Sequence, residues 1–389
     1  MKILSWAFPV LGLATLIQAS YINYTTVTGY FMQDEASTDA DTFIYYEENF
    51  GLINRTYAAD FDDPASKDMT QWQRFYREIV RLNLQSPSNV EFKVFFFGRH
   101  GDGYHNDAQT YYGTPAWNCY WAELDGNGTI SWYDAALSPT GIAQAQTAHD
   151  FWQWLINDQK IHTPDAYYTS PLTRCLETAN VTFTGLDMPE DSSEFKPTVK
   201  ELFRENISIH TCDNRHNKTY IHDMFPSWII EDGFSENDEL WNGVTAETDA
   251  AEAVRSKKVM DEVFLQLKMA QESNLFVSVT SHSGEIGSLL SVLGHRTFSL
   301  NTGAVIPVLI KAETLDKNVA TACKTWSVSA HCTAPPATSL ANCVCAASAA
   351  EVTTPLVSVT SVLPTETGPI CYNTALPTEA TPAGRAGRA

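Results

Sequence analysis

The stretch from Val94 to Gly101, Val-Phe-Phe-Phe-Gly-Arg-His-Gly, limits what this chain can become more than any other, because four large apolar residues lead into an adjacent arginine and histidine held between glycines. Such a run suits a strand buried on both faces of a parallel sheet, and open α/β sheets bind ligands at the carboxyl ends of those strands. Gly98 and Gly101 let the backbone turn sharply or approach a ligand closely, so Arg99 and His100 can project into one pocket. A guanidinium beside an imidazole suits an anion of phosphate geometry: the flat fork holds two oxygens while a ring nitrogen faces the central atom. Taken alone, the octapeptide favours a buried strand followed by a solvated Arg-His pair. The rest of the chain has to decide.

Residues 1–20 carry Lys2, an apolar run from Ile3 to Ile17, and the small residues Ala19 and Ser20, which is the layout of a cleaved secretory signal. The run is short for a transmembrane helix, and no later segment has enough uninterrupted apolar residues to span a bilayer. A secreted, extracellular protein with no membrane attachment after signal cleavage is expected, with cell-wall association left open. Six Asn-x-Ser/Thr sequons, at Asn23, Asn54, Asn127, Asn180, Asn206 and Asn217, and an even eight cysteines agree with export. With 46 acidic against 25 basic side chains the net charge is −21, which argues against nucleic acid or an anionic membrane as partner. An anionic substrate then needs a local basic pocket, and each arginine near a motif gains weight.

Strand candidates are Phe92–Phe97, Ala166–Thr169, Thr198–Leu202, Leu275–Thr280 and Val305–Ile310. Helical stretches lie between them at Thr140–Asn157, Leu172–Thr178 and Thr248–Ser273, the second with Ser170 placed as N-cap and Pro171 at its first position. The alternation predicts an α/β three-layer sandwich, a mainly parallel sheet flanked by helices, over residues 21–315. Residues 316–389 turn rich in Ala, Thr, Ser, Pro and Val, and a partly disordered tail is expected there. Five cysteines, Cys323, Cys332, Cys343, Cys345 and Cys371, fall in that tail, so its first half reads as a small stapled knot. The odd number requires one of them to pair with Cys119, Cys175 or Cys212, or to stay free. The spacing lacks the paired Cys-x-x-Cys of a metal site.

Three segments echo the first by placing polar groups where a strand has just ended: Ser170-Pro-Leu-Thr-Arg-Cys-Leu-Glu-Thr-Ala179, Leu202-Phe-Arg-Glu-Asn206, and Val279-Thr-Ser-His-Ser-Gly284. Arg174 falls in the first turn of a helix, whose amino terminus already favours an anion. Sharing one site, these segments gather two histidines, at least two arginines and a carboxylate, a constellation suited to phosphoryl transfer.

In this order, Arg99-His100-Gly101 with Asn106, Leu137-Ser-Pro-Thr-Gly-Ile-Ala-Gln144, the Ser170–Ala179 segment, Phe203-Arg204-Glu205 and Ser281-His-Ser-Gly284 resemble the motifs of the histidine phosphatase superfamily, also called phosphoglycerate mutase-like, in its single-domain branch. The variant Arg-His-Gly-x-Gly-Tyr-His-Asn resembles its fungal members. The resemblance implies a phosphoglycerate mutase-like fold, with His100 as the nucleophile that forms a phosphohistidine, and Arg99, Arg174 and His282 as the rest of the phosphate pocket. It makes Glu205 the general acid that protonates the leaving oxygen, and Asn106 a hydrogen-bonding orienter of substrate or phosphate. No metal and no cofactor is implied, because cationic side chains supply the electrostatics. Asp102 and Asp213 are rival acids. The Asn206 sequon adjoins Glu205, so Asn206 is expected to be unmodified or turned away.

The resemblance implies a small-molecule phosphomonoester as substrate, and departures from the mutase pattern favour its hydrolysis. Asp102 and Gly103 stand where mutases usually carry Glu-Ser, no extra basic residues mark a second phosphate site, and an exported enzyme meets water and phosphomonoesters in preference to glycolytic intermediates. The alternatives are a phosphoglycerate mutase-type phosphomutase and a non-catalytic cell-wall or binding protein retaining the fold. Retention of Arg99, His100, Arg174 and His282 speaks against the last. The long stretch Ile207–Trp241, with its histidines and Arg215, reads as a specificity cap or a surface loop, and Cys212 paired to Cys119 would hold it on the domain.

Overall fold

Val94 and Phe96 belong to one buried apolar cluster while Phe95 and Phe97 belong to another, so the strand that carries them separates two layers of core. Burying each of these side chains contributes about 1.5–3 kcal/mol, and alternation sends successive residues to opposite faces. The computed structural model describes residues 20–62, 64–269, 274–316, 322–323, 326–336, 343–345, 351–352, 354–356 and 371–372. The expected signal lies outside these except for Ser20, as does most of the expected disordered tail.

The strands of the main sheet are β1 (Ser20–Thr26), β2 (Val90–Arg99), β3 (Ala166–Thr169), β4 (Thr198–Val199) and β5 (Ile229–Ile230). A short β6 (Thr245–Glu247) stands apart, and β7 (Phe276–Ser281) and β8 (Val305–Asp316) complete the sheet. Its order is β1-β8-β2-β7-β3-β4-β5. Strands β2, β7, β3, β4 and β5 run parallel, with Val94 opposite Phe276, and β8 and β1 add an antiparallel flank.

The helices are α1 (Gln71–Leu84), α2 (Tyr104–Tyr112), α3 (Thr114–Cys119), α4 (Pro139–Trp154), α5 (Thr173–Phe183), α6 (Lys218–Met224), α7 (Asp249–Met269) and α8 (Ser283–Val292). Helices α1 and α4 cover one face through Trp72, Phe75, Phe151 and Trp152, and α7 and α8 cover the other through Val259, Met260, Val263 and Leu289. The architecture is the expected three-layer α/β sandwich with a mainly parallel sheet.

Several local expectations change. The strand expected over Thr198–Leu202 stops at Val199, because a 3-10 turn at Glu201–Phe203 buries Phe203 and swings Arg204 and Glu205 towards the sheet's carboxyl end. Helix α5 starts at Thr173, and its cap is Asp134, whose two carboxylate oxygens accept from the Thr173 amide and hydroxyl at 2.8 and 3.0 Å. The Ser170 hydroxyl still accepts from the Leu172 amide at 3.3 Å, one residue before the helix begins. The expected pairing of Cys212 with Cys119 is replaced: Cys119 is bonded to Cys343 and Cys332 to Cys345, while Cys175 and Cys212 are free and buried. The tail thus returns to the domain, where β10 (Trp326–Val328) pairs with β6, and four more strands, β9 (Ala322–Cys323) with β13 (Cys371–Tyr372) and β11 (His331–Cys332) with β12 (Glu351–Val352), pair among themselves. No helix among the described residues is long and apolar enough to cross a membrane.

Candidate active site

Strand β2 delivers His100 to the carboxyl edge of the sheet, where its amide donates to Ser281 of β7 at 3.0 Å and its carbonyl accepts from Gly303 at 2.9 Å. The next residue has no room for a side chain: a Cβ on Gly101 would sit 2.4 Å from the Gly141 carbonyl oxygen, and one on Gly141 would sit 2.0 Å from that of Asp102. This crossing of the post-β2 loop over the first turn of α4 fixes the histidine. The His100 Nδ1 lies 2.6 Å from the Gly101 carbonyl oxygen. A carbonyl only accepts, so Nδ1 carries the proton and Nε2 keeps its lone pair.

Four more residues converge on that ring. His282, at the N-cap of α8, has its ring centroid 5.1 Å from that of His100 and its Nε2 2.7 Å from the Ser170 hydroxyl. Arg174 sits in the first turn of α5, donating from Nη1 to the Cys212 carbonyl at 2.6 Å, with Nη2 3.4 Å from Asp213 Oδ1. Arg99 donates from Nη1 to the Leu300 carbonyl at 2.7 Å. The Nε of each arginine is buried and has no partner among the described residues. Two guanidiniums with unspent donors are what an oxyanion binds.

Glu205 faces these arginines from the loop after β4. Its Oε1 accepts from the amides of Asn206 and Glu285 at 3.0 and 3.1 Å, so the carboxylate lies on the amino terminus of α8. A Cβ on Gly284 would fall 2.4 Å from that oxygen, and the glycine of the Ser-His-Ser-Gly segment is what lets the carboxylate in. Behind it, Arg255 donates to the carbonyls of Leu202, Arg204 and Glu205 and to the carboxylates of Glu247 and Glu285. This buried network fixes the backbone that presents Glu205.

Burial sets the charge states. It drives His100 and His282 well below the ordinary imidazole range, with the Arg174 charge as the next cause. Burial thus favours the neutral form of both rings, the form a nucleophile requires. Burial, then the neighbouring Asp213, raises the Glu205 carboxyl against the pull of Arg174, the direction that suits a general acid. Of the rivals, Asp102 accepts the Ser138 hydroxyl at 2.8 Å, and Asp213 accepts from Ser208 at 2.6 Å and faces Arg174.

Asn106 lies in the first turn of α2, where its Oδ1 accepts the Gly103 amide at 3.0 Å. The residue before it was given no role from sequence, yet His105 is 9% exposed and its ring centroid lies 5.4 Å from that of His100. Its signal was the Gly-Tyr-His spacing after the nucleophile segment. The cap stretch Ile207–Trp241 is pinned by Arg204 on Asp238 and Arg215 on Glu201, while His216 is held 2.6 Å from Asp134. His210, Cys212 and Asp213 bring three ligand-type atoms within 4.8 Å of one another, but both Asp213 oxygens are engaged and the Arg174 guanidinium beside them repels a cation.

A mainly parallel sheet thus gathers two imidazoles, two arginines and a carboxyl at its carboxyl edge. The chain belongs to the histidine phosphatase superfamily, phosphoglycerate mutase-like: the superfamily's branch 1 matches residues 121–301, and a full-length relative agrees. Arg174, Glu205 and His282 lie inside that match, while Arg99, His100 and Asn106 precede it. The relative, named "Probable phosphoglycerate mutase", is from Arthroderma benhamiae and is 45% identical over 314 residues, 81% of this chain and 92% of its own length. The protein named "Probable phosphoglycerate mutase PMU1" of Saccharomyces cerevisiae is 30% identical over 256 residues, 62% of this chain and 84% of that one. Among solved structures, phosphoglycerate mutase from Bacillus anthracis is 14% identical with a TM-score of 0.36, covering 59% of this chain and 95% of that one.

Proposed function

We propose that the protein is a metal-independent phosphomonoesterase that hydrolyses its substrate through a phosphohistidine at His100. The observation that carries this reading is the His100 ring itself, anchored through Nδ1 to the Gly101 carbonyl with Nε2 unencumbered among Arg99, Arg174 and His282. Nε2 attacks phosphorus, the phosphorus to leaving-oxygen bond breaks, and Glu205 gives that oxygen a proton. Arg99 and Arg174 neutralise the equatorial oxygens and His282 hydrogen-bonds to them, a kind of stabilisation worth about 3–4 kcal/mol per well-aimed donor. Water then attacks the phosphohistidine, Glu205 takes its proton, and inorganic phosphate leaves with His100 restored.

A second reading, a phosphomutase, is favoured by the mutase names of the relatives. Hydrolysis is better supported by the charges around the pocket. A bisphosphate intermediate needs further cations, and Arg204, Arg215 and Arg255 are each already matched to buried carboxylates. Incubation with 3-phosphoglycerate and a bisphosphate primer separates the two: a phosphomonoesterase releases inorganic phosphate, whereas an isomerised product without phosphate would establish the mutase. A phosphate-release screen over phosphomonoesters and inositol phosphates, at acidic and neutral pH with chelator, would then find the substrate.

We also read residues 21–315 as the catalytic domain of an exported protein. The signal-like amino terminus, the sequons and the two disulfides among the described residues support export. Recovery of the chain in the medium with its new amino terminus near residue 21 tests it; a chain retained in the cytosol overturns it.

A further inference from the structure

We propose that His105 is a third imidazole of the anion pocket, contacting the oxygens of a bound phosphoryl group alongside His282. The inference rests on the reading that the pocket takes a phosphate, and it adds a residue that the reading does not use. Four other histidines lie against carboxylates: His216 on Asp134 at 2.6 Å, His162 on Asp165 at 2.8 Å, His331 on Glu123 at 2.6 Å and His295 on Asp34 at 3.4 Å. His105 faces cations instead, with Arg174, His100, Arg99 and His210 all disfavouring its protonated form after burial has done so.

Its Nδ1 is buried and has no hydrogen-bond partner among the described residues. A buried nitrogen left unpaired is unfavourable, and an incoming oxygen would satisfy it. The backbone makes room for this arrangement, since a Cβ on Gly103 would lie 2.7 Å from Nδ1 and 2.9 Å from Cε1 of the ring. Gly103 therefore admits the ring against the first turn of α2, within 5.4 Å of the nucleophile's ring. A ring that only filled space would not need its polar nitrogen buried among four cationic or imidazole groups. An oxyanion reverses the sign of that field, so binding should draw protons onto the imidazoles.

The test is orthovanadate binding to the full chain by calorimetry in two buffers of different ionisation enthalpy, comparing wild type with His105→Asn and His105→Gln. The wild type should bind with net proton uptake. The variants should bind about tenfold more weakly, the loss of one charge-assisted hydrogen bond, and take up fewer protons. In steady state they should raise KM for aryl and alkyl phosphates alike, unlike a change at Glu205, which should discriminate by leaving group. Unchanged affinity and proton count in folded variants would overturn the role of His105 and leave the phosphate reading intact. A wild type that binds no vanadate would overturn the phosphate reading and this inference with it. If the variants misfold, nitrogen-15 histidine spectra of the wild type decide: three buried rings shifting on vanadate support the role, and two alone overturn it.

Discussion

Gly284→Ala should leave the protein as stable as before and still damage catalysis. The added Cβ would lie 2.4 Å from Oε1 of Glu205, 3.3 Å from its Cδ and 3.4 Å from Oε1 of Glu252. Contacts under 3.0 Å do not survive, so the carboxylate must retreat by at least about 0.6 Å and loosen its bond from the Glu285 amide. The obstacle is the tip of a flexible side chain, and alanine is the better helix former by up to about 1 kcal/mol, so the melting temperature should hold or rise. A general acid displaced by most of an ångström loses about 10- to 100-fold in rate. The loss should appear in kcat for alkyl phosphates, which need the proton, and be much smaller for 4-nitrophenyl phosphate, which does not. Melting by circular dichroism with kcat on both substrates measures it. A folded variant within twofold of wild type on alkyl phosphates would refute the placement of Glu205.

Burial pushes the Glu252 carboxyl up to about 7, with Arg255 pulling the other way. Because it binds its proton more tightly folded than unfolded, its contribution to stability is full below about pH 4.5 and is lost as pH rises through 7, amounting to up to about 3 kcal/mol. Glu252→Gln should flatten that decline in a series of denaturant melts, and an unchanged slope would contradict it. Cys343→Ser removes the bond that ties the returning tail to α3 across 224 residues of chain, and should lower stability by about 2–5 kcal/mol. Reduced wild type, which loses Cys332–Cys345 as well, should be at least as destabilised as the variant in denaturant melts, and no difference between oxidised protein and the variant would contradict the closure.

The central sheet was legible because its signals are local. Four apolar residues before Arg99, and the runs of β3, β7 and β8, read directly as buried strands with polar groups at their ends. Strand β1 is missing from that reading: only Ile22, Tyr24 and Thr26 alternate into the core, and its pairing with β8 joins opposite ends of the domain. The Asp134 cap on α5 was hidden for the same reason, since it comes from 39 residues away. At the site, Arg99, His100, Arg174, Glu205 and His282 gather at one edge because each lies at or beyond the carboxyl end of a strand in the parallel part of the sheet. The placement of Asn106 and His105 was not legible, because a side chain's direction within a helical turn is set by packing: one folds back on Gly103 and the other is buried beside His100. The basic residues of Ile207–Trp241 were legible as a cluster, but the carboxylate partners of Arg215 and His216 at Glu201 and Asp134 were not.

Catalysis through His100 is tested most directly by trapping the covalent intermediate. Rapid mixing with 4-nitrophenyl phosphate, alkaline quench and peptide mass spectrometry should find one phosphoryl group on the peptide containing His100, stable to base and lost in acid. His100→Asn should fold, form no such adduct and release no phosphate. A phosphoryl group on another residue, or near-normal turnover by the variant, would contradict the assignment of His100 as nucleophile.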